Sequence, residues 1–194
     1  LADETIVNAA LSHGITIFVL AASLGHISGG HFNPAVTLTV ILCEKLKLTH
    51  GILYITAQLF GGFCGALLAR AVSYESNFLA INGGATILSP NYGWYQGLVV
   101  EAITTFVLTQ SVIMTAVDTS SNMLAPLAIG LSTSSSGAIS GASMNPARSL
   151  GPAFVSWMFG VDSSLLWSYH FIYWIGPLIG ALITSLLYRI IITD

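Results

Sequence analysis

A chain of 194 residues with 54% hydrophobic and 7% charged side chains, at a mean hydropathy of +0.81, departs from soluble composition, in which about a quarter of residues are charged. Its five Lys and Arg are scattered singly within a net charge of −3, which excludes a nucleic-acid-binding face. Cys43 and Cys64, both in apolar surroundings, form neither a disulfide framework nor a zinc site, and no Ser/His/Asp set, Cys/His set or phosphate loop marks an enzyme.

Residues 1–5 are polar and acidic, without the basic start of a signal peptide. Residues 6–27 form a first apolar run of about the 20 residues that cross a bilayer core, and it contains His13. The run gives way to Ser28-Gly29-Gly30-His31-Phe32-Asn33-Pro34-Ala35. Asn is a favoured N-cap and Pro suits the first helical turn, so a short helix is expected from Pro34. Lys45 and Lys47 follow it. A second spanning run covers 52–72, and the polar stretch 73–95 reads as a long external loop.

A third span, 98–117, holds Glu101, the only acid inside an apolar run, which must find hydrogen-bond donors there or become protonated. The fourth, 124–139, is weak: it is short and carries the polar run Thr133-Ser134-Ser135-Ser136. Ser140-Gly141-Ala142-Ser143-Met144-Asn145-Pro146-Ala147 then repeats the irregular motif, with Arg148 next. A fifth span covers 169–192, and Trp167, Tyr169, His170, Tyr173 and Trp174 at its start read as an interfacial aromatic belt.

Asn33 and Asn145 lie 112 residues apart, and the likeness extends beyond the motifs. Gly61 and Gly65 echo Gly176 and Gly180, a small-residue spacing that lets membrane helices approach closely. The expected organisation is one transmembrane domain over 1–194, with half-repeats over about 1–75 and 96–194. The second half reads helix, helix, half-helix, helix. The first lacks its opening helix, so a further transmembrane helix is expected ahead of residue 6. Three full helices per half invert the second half, giving a pseudo-two-fold axis in the membrane plane. Irregular backbone at membrane depth is tolerated where it lines a cavity, so two such breaks in matching places point to a transport path. Lys45, Lys47 and Arg189 fall on one side of the membrane and Arg70 on the other, which makes the first side cytoplasmic.

The run His26 to Val36, the run Ser140 to Ser149, Ala125-Pro126-Leu127-Ala128-Ile129-Gly130 and Tyr173-Trp174-Ile175-Gly176-Pro177 together resemble the aquaporins, nearest the aquaporin-8-like branch. The resemblance covers essentially the whole chain. It implies an all-α membrane protein in which two half-helices meet at the midplane. The implied function is a passive channel for water, and with it ammonia and hydrogen peroxide, that excludes protons and ions. No enzyme activity, cofactor or metal is implied. The partners are the lipid bilayer, these small neutral solutes and further copies in a homotetramer.

In that reading Asn33 and Asn145 stand at two positive helix ends and donate to passing water. The carbonyls of Gly29, Gly30 and His31, and of Gly141, Ala142 and Ser143, form an acceptor ladder along the pore. Arg148, costly at membrane depth but able to hold carbonyls while presenting charge, is half of a selectivity constriction. His13 and the small Ala142 complete it, wider and more polar than where the family has Phe. Thr133 counts to the fourth position, although the segment between Gly130 and Asn145 is about four residues shorter than the family pattern. Glu101 braces the second loop. The rival readings are a glycerol-type facilitator, which has Asp where this chain has Ser149, and a non-conducting scaffold or sensor on the same fold.

Overall fold

The computed structural model describes residues 2–119, 122–134 and 139–192, and these contain helices and no strand. In chain order the helices are α1 (Ala2–Ser28), α2 (Pro34–Leu42), α3 (Leu48–Val72), α4 (Glu75–Ala80), α5 (Trp94–Val112), α6 (Ala125–Thr133), α7 (Pro146–Met158), α8 (Ser163–Trp167) and α9 (Ile172–Leu187). Two π-helical turns prolong α5 and α9, at Ile113–Val117 and Tyr188–Ile192.

Among the described residues four helical stretches are long and apolar enough to cross a bilayer: Ile6–Ser28, Leu48–Val72, Trp94–Val117 and Ser163–Ile191. The fourth expected span, 124–139, is not such a helix within the described residues. Only nine residues of it, α6, are helical there, and residues 135–138, which include Ser135 and Ser136 of the polar run, lie outside the described part. The end of α6 is held by its own side chains: Ser132 and Thr133 hydroxyls donate to the Ile129 carbonyl and Ser134 to that of Gly130. Such back-bonding satisfies helix carbonyls locally and makes Ser and Thr tolerable in apolar surroundings.

The long helices pack through glycine. In α9, a Cβ on Gly176 would sit 2.6 Å from the Glu101 Cβ, and one on Gly180 2.5 Å from the Ala102 carbonyl, so α5 and α9 touch backbone to backbone. Gly14 of α1 and Gly130 of α6 meet in the same way, as do Gly62 of α3 and Gly151 of α7. Gly61 and Gly65 do not follow their echoes: among the described residues nothing lies within 4 Å of a Cβ there. In the first half it is Gly62, one position away, that meets the neighbouring helix. The Gly61 face borders an open groove of about 860 Å³.

The half-helices α2 and α7 are nine and thirteen residues long. Joined N-terminus to N-terminus they measure roughly 33 Å at 1.5 Å per residue, close to the ~30 Å hydrocarbon core. Around their junction lies the main apolar cluster, built from Val36 and Val40 of α2, Leu108 and Val112 of α5, Ile113, Ala142, Met144 and Tyr188.

Candidate functional site

The two loops repeat in backbone conformation as well as in sequence. Gly29 and Gly141 have φ of +78° and +80°, Gly30 and Ala142 +59° and +43°, Phe32 and Met144 +50° and +53°. The caps then return to extended geometry, Asn33 at φ −153° and Asn145 at −152°. Side chains other than Gly in the left-handed region cost on the order of 1 kcal/mol each, so Phe32, Ala142 and Met144 are held there by their surroundings.

Much of that holding is mutual. Asn33 Oδ1 accepts from the Ala35 N–H at 2.8 Å, and Asn145 Oδ1 from Ala147 and Arg148 at 3.0 and 3.2 Å. Each amide nitrogen reaches across the junction: Asn33 Nδ2 donates to the Met144 carbonyl at 2.8 Å, and Asn145 Nδ2 to the Phe32 carbonyl at 2.9 Å. A carboxamide has two N–H donors, so this exchange leaves one on each Asn for a solute. Both asparagines line a cavity of about 440 Å³, together with Gly29, Gly30, His31, Ser143, Thr133 and His13.

Side-chain bonds repeat at the same offset. His31 Nδ1 lies 3.1 Å from the Thr37 hydroxyl, and Ser143 bonds the Ser149 hydroxyl six residues along. The Ser28 carbonyl accepts from the Tyr54 hydroxyl and the Ser140 carbonyl from that of Tyr173 at 2.9 Å. Tyr173 is 1% exposed, which removes it from the expected aromatic belt and makes it a support of the second loop. The signal was present: Tyr173, Gly176 and Gly180 share one helical face, the face that packs on α5.

Glu101 is fully buried in α5. Its Oε1 accepts from the Ser140 hydroxyl at 2.6 Å and the Ser143 N–H at 2.8 Å, and its Oε2 from the Met144 N–H at 2.7 Å. One carboxylate thereby satisfies three donors of a loop that has no secondary structure of its own to pair with.

Arg148 sits in the first turn of α7, and its Nη1 donates to the Gly84 carbonyl at 3.4 Å. Gly84 belongs to the loop after α4, which sequence reasoning placed outside the membrane without linking it to Arg148. That loop is pinned nearby by a Thr86–Ser149 hydroxyl pair and by Ser156 donating to the Asn82 carbonyl at 2.9 Å. His13, on α1, stands where two spaces join. It faces Asn33, Asn145 and Thr133 in the 440 Å³ cavity and borders the groove that contains Arg148. Ala142 and Gly141 are not brought to the cavity lining; Ala142 is 5% exposed and belongs to the apolar cluster with Met144.

The family model described as Major intrinsic protein matches residues 2–188. Aquaporin-8 of Notomys alexis is 42% identical over 198 aligned residues, covering 99% of this chain and 73% of that protein. Aquaporin-8 of Rattus norvegicus is 43% identical over 191, covering 95% and 70%. The X-ray structure of the aquaglyceroporin from Plasmodium falciparum superposes with a TM-score of 0.80 at 23% identity, covering 94% of this chain and 81% of that one, and so shares the fold. Two opposed helix ends on a cavity at membrane depth, on this fold and with these relatives, make an integral membrane channel for water or small solutes, and the chain belongs to the major intrinsic protein family, in its aquaporin-8-like branch.

Proposed function

We propose that this channel, a single domain working in a homotetramer, passes water, ammonia and hydrogen peroxide and excludes protons and ions. The observation that carries the reading is the exchange between Asn33 and Asn145, which presents two helix N-termini and one remaining N–H from each amide to the same cavity. A chain of waters crossing that point must turn its oxygens toward both donors, which breaks a proton wire, while the positive helix ends repel cations. The carbonyls of Gly29, Gly30 and His31 would take water's hydrogens on the approach. Ser149 supports water over a glycerol-type solute: its hydroxyl is shared with Ser143 and Thr86.

Arg148 adds the fixed charge. Replacing it with Val, the residue at the matching position 36, should admit a proton or small-cation current, and only a partial one because the helix ends remain. The measurement is voltage clamp of the variant beside its water flux. Unchanged water flux with no current would remove Arg148 as the main charge barrier.

His13 sets solute choice in this reading. His13→Phe replaces a donor and acceptor with an apolar wall, so ammonia flux should fall more than water flux. One hydrogen bond of about 1 kcal/mol corresponds to roughly fivefold in rate if it acts at the barrier. Alkalinisation under an ammonia gradient and swelling under an osmotic gradient, on the same preparation, test it. Equal losses would make His13 a packing residue.

A further inference from the structure

We propose that Asp118, Tyr188 and Lys45 are positioning residues that set where the pore-lining turn 113–119 stands at one mouth of the channel. The three come from separate elements: Asp118 from the end of the π-helical turn after α5, Tyr188 from the end of α9, and Lys45 from the turn between α2 and α3. The Tyr188 hydroxyl donates to Asp118 Oδ1 at 2.6 Å. Lys45 Nζ lies 4.0 Å from the same oxygen and 5.6 Å over the Tyr188 ring. Beside them Arg189 pairs with Glu44, joining the same two chain segments again.

The turn they hold is part of the water path. Thr115, Ala116, Val117 and Thr119 line the 440 Å³ cavity that contains Asn33 and Asn145. The turn is π-helical, closed by the Asp118 N–H on the Ile113 carbonyl at 2.9 Å, and a π turn holds one residue more than an α turn. Where Thr115 and Val117 face therefore depends on keeping that extra residue in place. The anchor on the far side is rigid: Tyr188 is 1% exposed, packed in the cluster with Val40, Val112 and Ile113. Its hydroxyl is spent on Asp118, the residue whose N–H closes the π turn.

Two readouts test the assignment on the complete protein in proteoliposomes. In the first, water flux per folded channel should fall about threefold in Tyr188→Phe and in Asp118→Ala, the loss of one modest hydrogen bond biasing the turn's position. Asp118→Asn keeps an oxygen for Tyr188 and should retain more than half of the flux. In the second, Thr115→Cys, with Cys43→Ser and Cys64→Ser, is labelled by a membrane-impermeant thiol reagent, and adding Tyr188→Phe should change the labelling rate at unchanged melting temperature. An unchanged labelling rate overturns the proposal. So does wild-type flux in Tyr188→Phe, or an Asp118→Asn variant as impaired as Asp118→Ala. The assignment rests on the cavity being the water path; labelling reads the turn's position even in a channel that carries no water, so failure of that reading and failure of this one are distinguishable.

Discussion

Glu101→Ala should be the most damaging single substitution in the chain, destabilising the folded channel by on the order of 3–5 kcal/mol and abolishing measurable water flux. The carboxylate accepts from the Ser140 hydroxyl and from two backbone N–H groups, Ser143 and Met144, and all of this lies at zero or near-zero exposure. A buried donor left without a partner costs about 1–3 kcal/mol, and the residues that supply these three donors are each no more than 1% exposed. The loop also holds two residues other than Gly, Ala142 and Met144, in the left-handed region, a backbone cost that its partners must offset. Glu101→Gln should be intermediate, because it keeps one oxygen but turns an NH2 toward an N–H. Melting temperature in detergent and osmotic flux in proteoliposomes read both variants. An alanine variant with wild-type melting and flux would mean that the loop stands by itself.

The next largest effect is expected at the two asparagines, with Asn145→Ala more harmful than Asn33→Ala. Both lose a cap and a bond across the junction, but Asn145 caps two N–H groups where Asn33 caps one. A lost cap costs about 1 kcal/mol and a lost cross-bond about the same, giving roughly 2 kcal/mol for Asn33 and about 3 for Asn145. Flux should fall by about fivefold or more, since each change also removes the remaining donor that faces the cavity. The double variant should lose less stability than the two singles combined, because the cross-bonds depend on one shared alignment of the loops. A coupling of about 0.5–1 kcal/mol in a double-mutant cycle is the expected size. Strict additivity would show that the two halves do not hold each other.

The halves differ in how far sequence reasoning carried. The positions of α2 and α7 were legible because Asn-Pro is a local signal: the cap and the proline act within one turn of their own residues. The acid in a long apolar run was legible as a residue that needs donors, and the structure supplies its three donors from the second loop. Arg148 was legible as a costly charge, whereas its partner, the Gly84 carbonyl, was not. A carbonyl carries no side-chain signature, and its approach depends on how the loop after α4 folds over α7. The span at 124–139 was legible only as short and polar at its end: the described helix stops at Thr133, and residues 135–138 lie outside the described part.

Three further residues show where local signals end. Tyr173 looks interfacial by composition, because an aromatic near a helix start commonly sits at the membrane surface. Its burial against Ser140 is decided by the Gly176 and Gly180 contact with α5, which draws that face inward. Gly61 and Gly65 have the same spacing and no such contact among the described residues, so an identical pattern has two outcomes.

By itself, then, the sequence determined what depends on short range and on solvent: apolar spans, an inverted repeat of half-helix starts, the caps, and the few polar groups that membrane depth makes conspicuous. Only the tertiary structure decided which groups meet. The Asn33 to Met144 and Asn145 to Phe32 bonds join residues more than a hundred positions apart, and the left-handed backbone of both loops is held by partners far along the chain. The physical reason is that a membrane interior offers no water to satisfy stray polar groups, so each must find another part of the protein, and which part is fixed by packing of whole helices.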